Sequence, residues 1–224
     1  MESKEEQKTK KRRIPWFDVS KSNRLALATY LNQAILEKYP DADTKSLLTK
    51  NNILKNMNND TYPLAEVCVG NINFIAINHK ESISVGYSMA HALVIEADTY
   101  SVINQAKAIN EIMKNLVIEG KIKVKVHELF SRHKKVEEQA KQLAYTGKDK
   151  VINVVVSTPN RLTKLIDLNA IDLSQLRCII LDCTKNEKKQ TLLDYRETRN
   201  DLIDLFYKHV LKCTTKNKIK IYFY

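Results

Sequence analysis

The chain has 224 residues, a formal charge of +11 at neutral pH and a pI near 9.4. That length is enough for one domain with a packed core, and the charge favours an acidic partner such as nucleic acid. No run of about 18 apolar residues and no secretory core segment is present, so neither a membrane span nor export is expected. Cys68, Cys178, Cys183 and Cys213 are scattered, and the Cys178–Cys183 spacing does not fit a zinc knuckle. Reduced thiols are expected.

Residues 1–13 carry Lys8, Lys10, Lys11, Arg12 and Arg13 with almost nothing apolar, the composition of a disordered basic arm. The run Lys-Thr-Lys-Lys-Arg-Arg fits a nuclear localisation signal, a phosphate-binding tail or a solubilising end. Residues 14–60 read as a helical N-terminal segment. Trp16 and Phe17 pin the arm to a body or a partner. Leu27, Tyr30, Leu31, Ala34, Ile35 and Tyr39 then recur at helical spacing up to Pro40. A second, weaker helix is expected over Thr44–Met57, and the polar run Lys55–Asp60 reads as a flexible joint. Residues 61–224 read as one lobe.

Within the lobe, Val67–Ile77 suits a strand or two without a firm register. Met89–Glu96 reads as a strand, and Asp98 or Thr99 caps a helix with Val102, Ala106, Ile109, Met113 and Leu116 inward. Gly120 closes that helix. Lys123–Leu129 alternates like a strand, and His133–Tyr145 returns to helix before Gly147. After the charged linker Asn186–Gln190, a long amphipathic helix runs from about Tyr195 to Cys213 with Leu202, Leu205, Phe206 and Val210 inward. Ile219–Phe223 is a last strand. The strand–helix alternation predicts an α/β fold with a parallel, doubly wound sheet.

Lys150–Lys185 organises the lobe. Val151–Val156 is a β-branched run suited to a strand covered on both faces, and Thr158-Pro159 stops it. Asn160–Leu168 resumes at helical period, with Leu162, Leu165 and Ile166 on one face. Arg177–Leu181 is a second buried strand that delivers Asp182 to its carboxyl end, where ligands gather in such sheets. Ser157-Thr158-Pro159-Asn160-Arg161-Leu162 resembles the T-P-G-R-[LI] motif of DEAD-box RNA helicases. Ile179-Ile180-Leu181-Asp182 resembles the strand entering their D-E-A-D box, but Cys183-Thr184-Lys185 follow. The resemblance implies a RecA-like lobe with a retained RNA-side turn and a lost nucleotide side. Ala92–Thr99 stands where that family has A-L-[IV]-L-x-P-T-R-E-L, with the second half degraded.

Val126–Leu143, the V-S-T-P-N-R-L turn, Ile171–Leu176 and the helix starting D-Y-R-E-T-R-N-D-L together resemble the Cms-one family, over roughly Met89–Tyr224. That resemblance implies a nucleolar, non-catalytic factor of the small-subunit pre-ribosome. Its partners would be pre-ribosomal RNA and small-subunit assembly proteins, with one copy in a large ribonucleoprotein, no membrane and no cofactor.

The residues themselves argue against ATP chemistry. G-x-x-x-x-G-K-[ST] is absent: Gly120-Lys121 and Gly147-Lys148 follow helices, and Gly70 and Gly86 have no Lys after them. Cys183 stands where the second carboxylate would sit, so Asp182 is expected to make a structural hydrogen bond. A second helicase lobe has no room in this length. His127 and His133 read as a surface pair, and neither G-x-S-x-G nor H-E-x-x-H occurs.

An anion site is still expected where the Pro159 helix begins, because free N–H groups and the helix dipole favour phosphate there. Thr158, Pro159, Asn160, Arg161 and Lys164 are the candidate RNA-binding residues. The alternative is that Thr158 caps the helix and Arg161 makes an internal salt bridge. Lys121, Lys123 and Lys125 on one strand, and Lys212, Lys216, Lys218 and Lys220 near the end, are the other basic concentrations. Two further functional alternatives are an ATP-dependent RNA helicase fragment and a pure protein-interaction module.

Overall fold

The apolar runs at 92–95, 151–156 and 178–181 become the central strands of one sheet, buried on both faces. The computed structural model describes residues 19, 22–55, 63–78, 83–114, 123–132, 134–145, 150–185 and 190–224. In chain order these form α1 (Arg24–Lys38), β1 (Ile53–Lys55), α2 (Leu64–Asn78), β2 (Ser84–Val85) and β3 (Ala92–Ile95). There follow α3 (Thr99–Lys114), β4 (Lys123–Leu129), α4 (Val136–Leu143), β5 (Lys150–Ser157) and α5 (Pro159–Asp167). The chain ends in β6 (Cys178–Leu181), α6 (Arg196–Leu205), α7 (Leu211–Asn217) and β7 (Lys220–Phe223).

The strands lie in the order β1-β7-β6-β3-β5-β4, with every neighbour parallel. β2 adds a two-residue antiparallel pairing at the start of β5. Because side chains alternate along each strand, the sheet feeds two cores. Leu93, Val155, Ile179 and Ile221 pack with α1, α5 and α6 on one face. Ala92, Val94, Val154 and Ile180 pack with α2 and α3 on the other. This is the doubly wound α/β arrangement that the alternation predicts, with β2 the one antiparallel member among the described residues.

Three expected elements differ. The helix expected over Thr44–Met57 is a three-residue 3-10 turn at Thr44–Ser46 followed by β1. Asn52 Oδ1 accepts from the Thr49 N–H at 3.0 Å and from its hydroxyl at 2.9 Å, and this local bonding competes with a helix. The strands expected over Val67–Ile77 are α2, whose buried Leu64, Cys68, Ile72, Ile75 and Ala76 keep helical spacing. Apolar residues on both of its sides hid that period. The helix expected over His133–Tyr145 is confined to α4. The long C-terminal helix is continuous from Arg196 to Asn217, as expected, but passes through a π turn at Phe206–Val210, which buries Phe206 and Val210 beside Leu202 and Leu205.

The division near residue 60 also gives way. β1 pairs with β7, and α1 buries Leu27, Leu31 and Ile35 in the shared core. Tyr39 donates to Asp204 Oδ1 at 2.6 Å and stacks on Tyr207, and Lys38 pairs with Asp204. Residues 24–55 therefore supply part of the lobe's sheet and core rather than preceding it. Asp98, not Thr99, caps α3: its Oδ1 accepts from the Ser101 N–H at 3.0 Å. The basic arm, Trp16, Phe17, residues 56–60, Leu116, Gly120, Lys121, His133, Gly147 and residues 186–189 lie outside the described residues.

A buried amide sits inside this sheet. Asn153 is fully buried, and its amide nitrogen donates to the Gly86 and Met89 carbonyls, both at 2.9 Å. Its Oδ1 is 3.0 Å from His127 Nε2, so that ring nitrogen carries the proton. His127 is thus no surface histidine, and burial pulls its pKa down. Asn153 fastens the approach to β3 onto β5 and β4. Asn153→Ala should cost about 2–3 kcal/mol, because two buried carbonyls and one imidazole lose partners together. Urea melts of the two proteins would measure it, and a loss below about 0.5 kcal/mol would refute the assignment.

Candidate functional site

β5 ends at Ser157, whose hydroxyl donates to the Leu129 carbonyl at 2.8 Å and so fixes where the strand stops. Thr158 follows as an extended N-cap, and Pro159 opens α5 at a position where a missing N–H costs nothing. Leu162 and Leu165 seal the helix onto the core. Thr158 makes no side-chain capping bond, so the first turn of α5 keeps its N–H groups uncapped at the carboxyl end of the sheet.

Four of the five predicted contact residues lie in this turn and Lys164 follows in the last turn of α5, and they differ in accessibility. Asn160 and Lys164 are exposed, Thr158 is half-buried, and Pro159 is buried. Arg161, expected as an open forked donor, is only 7% exposed. Its Nη2 donates to the Lys134 carbonyl at 3.0 Å, so it ties the segment before α4 to α5. Its Nε and Nη1 have no hydrogen-bond partner among the described residues. Burial weakens its hold on its proton, and nearby Glu137 partly restores it.

Beside this turn, the ends of β3 and β6 bring two acids together. Glu96 is 1% exposed, and burial pushes its carboxyl up to about 10, helped by the charge of Asp182 and a hydrogen bond to it. Asp182 Oδ1 also accepts from the Thr184 N–H at 2.9 Å and the Thr184 hydroxyl at 2.7 Å, the structural role expected for it. Sequence reasoning missed Glu96, because an acid after Ala92–Ile95 reads as the end of a strand. The available signal was that a glutamate directly follows the apolar run Ala92–Ile95.

Three of the four thiols are kept protonated by their surroundings. Cys68, Cys178 and Cys183 are buried and free; burial pushes Cys178 up to about 12 and raises the other two well above the ordinary thiol range. Among the described residues no His, Cys, Asp or Glu cluster has the makings of a metal site, and no helix is long and apolar enough to cross a membrane.

The other basic concentrations divide. Lys123 and Lys125 are exposed on β4, with Lys125 Nζ 5.7 Å from the Tyr87 ring centre. Lys212 lies beside Lys208 and His209 in a cleft under α5, whereas Lys218 and Lys220 line a different groove against α2.

The profile of the CMS1 family, described as U3-containing 90S pre-ribosomal complex subunit, matches residues 80–224. Protein CMSS1 of Danio rerio is 30% identical over 112 residues, covering 50% of this chain and 37% of its own length. Protein CMS1 of Chaetomium thermophilum is 37% identical over 81 residues, 36% of this chain and 31% of its own. The chain thus spans well under half of either relative. Among solved structures, a DEAD box protein from Methanococcus jannaschii aligns over 85% of this chain and 41% of its own, with 19% identity and a TM-score of 0.42. Dbp5 of S. cerevisiae, bound to RNA and ADP BeF3, aligns over 88% of this chain and 40% of its own, with 14% identity and a TM-score of 0.45. Those two scores are too low to carry any functional argument. The profile match covers well over half of the 224 residues, and the chain belongs to the CMS1 family of 90S pre-ribosomal complex subunits.

Proposed function

We propose that this chain is a non-catalytic biogenesis factor of the small-subunit pre-ribosome that grips pre-ribosomal RNA through the α5 turn. On this reading it works in the nucleolus, as one copy in a large ribonucleoprotein, and also contacts assembly proteins. The observation that carries the RNA contact is the uncapped start of α5, with Asn160 exposed on it, Lys164 exposed one turn further along and the Arg161 charge beneath. A phosphate there would meet backbone N–H groups, the Thr158 hydroxyl and Lys164. Arg161 would act from below, adding charge and holding the neighbouring segment in place. Such contacts read the backbone rather than the base sequence.

The non-catalytic half rests on sequence placed in the fold. A phosphate-binding loop belongs between a strand and the helix after it. The connection from β1 to α2 reads Asn-Met-Asn-Asn-Asp-Thr-Tyr over residues 56–62, with neither glycine nor lysine. At the end of β6, Cys183 follows Asp182, and Asp182 is engaged with Thr184 and Glu96. An ATP-dependent helicase fragment would need both features. ATP turnover by the purified chain that disappears in Asp182→Ala would overturn the non-catalytic reading.

Lys164→Ala tests the RNA contact. Lys164 is exposed, so the melting midpoint should stay unchanged. The affinity for single-stranded RNA should fall, and the slope of log K against log salt should become shallower by about one unit. Arg161→Ala should weaken RNA binding as well, but with about 1 kcal/mol of lost stability from the released Lys134 carbonyl. An RNA affinity and slope untouched by Lys164→Ala would remove α5 from the interface.

A further inference from the structure

At the opposite end of the sheet from the α5 turn, a groove of about 710 Å³ opens between α2 and the β1–β7 edge. Its apolar lining includes Leu54, Val67, Phe74, Ile75 and Tyr222. Gly70 sits in its wall, and a Cβ built there meets nothing within 4 Å, so the space reaches the helix backbone itself. The apolar strip runs on along α2, where Phe74 and Ile77 are 57% and 64% exposed. Gly70, Phe74 and Ile77 stand at i, i+4 and i+7, which places them on one face. Contiguous apolar surface left open in this way marks an interaction site.

The charge around the groove says what it would take. Among the described residues its lining holds Arg177, Lys218 and Lys220 and no carboxylate. Lys218 is exposed, and Lys220 Nζ donates to the Asn51 carbonyl at 2.7 Å, which holds that charge at the mouth. Apolar anchors with a cationic border match a segment that carries apolar side chains flanked by acids. RNA is the poorer match: of the two aromatics in the lining only Phe74 is exposed, Tyr222 being half-buried with its hydroxyl donated to Asn71 Oδ1 at 2.7 Å, so successive bases would find no row of stacking rings. A small ligand enclosed in the groove would leave Ile77 uncovered, because it continues the apolar strip along α2 outside the groove's lining.

We propose that the groove between α2 and the β1–β7 edge docks an acidic, amphipathic segment of a protein partner. This gives the assembly-protein side of the proposed function a definite address and stands independently of the RNA contact. The amino ends of the strands would hold protein while their carboxyl ends face RNA, so the lobe would bridge the two.

The test uses the full chain and two short fluorescent amphipathic peptides. One carries Leu, Phe and Trp on one face and Glu on the other; its twin has Lys in place of every Glu. The acidic peptide should bind with micromolar affinity and the basic twin should not. Gly70→Leu fills open space in a helix, so its melting midpoint should match or exceed that of the parent while peptide binding falls about tenfold or more. Lys218→Glu should weaken the acidic peptide and leave the fold intact. RNA affinity should be the same in Gly70→Leu as in the parent, which separates this site from the α5 turn. Equal binding of the two peptides, no binding of the acidic one, or full binding to Gly70→Leu would each overturn the proposal. So would displacement of the acidic peptide by an RNA oligonucleotide that Gly70→Leu no longer binds.

Discussion

Ile179→Asp is expected to abolish the folded state at room temperature. Ile179 is fully buried in β6, in register with Leu93 on one side and Ile221 on the other. The core on its face is built from Leu, Ile, Val and Phe side chains of α1, α5, α6 and the strands. A carboxylate there would meet no donor, and an unpaired buried charge costs several kcal/mol. Whole domains are stable by only about 5–15 kcal/mol, so most of that margin would go. Ile179→Ala is the graded companion: it leaves a cavity without a charge and should cost about 2–5 kcal/mol. Circular dichroism and urea melts read both. An Ile179→Asp protein that melts cooperatively near the parent's midpoint would mean that the centre of the sheet is not the packed core described here.

Glu96→Gln should stabilise the protein, and more so as pH rises. The folded carboxyl is pushed up to about 10 from an ordinary 4.5, first by burial and then by Asp182. A group with a raised folded pKa contributes its full stabilisation below the unfolded value and loses it as pH climbs towards the folded one. The parent should therefore lose stability from about pH 5 upward, by at most about 1.4 kcal/mol per pH unit. Glutamine has no proton to lose, and its amide can donate to Asp182 as the protonated acid does. The two proteins should be similar near pH 4.5, and the variant should lead by on the order of 2–4 kcal/mol near pH 8. Glu96→Ala lacks the donor to Asp182 and should show less of the gain. Parallel melts across that range decide it. A parent curve with no downward trend, or a Gln variant that is no better at pH 8 than at pH 5, would show that Glu96 is ionised and satisfied in the fold.

The two acids illustrate why part of the site escaped the sequence. Thr158-Pro159 announces itself, because proline has no N–H to extend a sheet and its fixed φ suits the first position of a helix. Leu162 and Leu165 declare the buried face of α5 by spacing alone. Whether Arg161 points to solvent depends on the segment before α4, twenty-seven residues earlier, whose Lys134 carbonyl takes its Nη2. Glu96 and Asp182 are 86 positions apart in the chain and meet only because β3 and β6 are neighbours. The same holds for the groove beside α2, whose far wall is β7.

By itself the order of residues determined the central strands, the helices α1, α3 and α5, the strand-to-helix turn at Thr158-Pro159 and the α/β class. Each of those follows from local rules: β-branched runs, helical spacing, proline and capping side chains acting over a few neighbours. Only the tertiary structure decided that residues 53–55 close the sheet against β7, that 64–78 is helical, and that Arg161 is covered. It also decided that a protonated Glu96 leans on Asp182. These depend on contacts between segments distant in sequence, where burial and long-range pairing outweigh local preference.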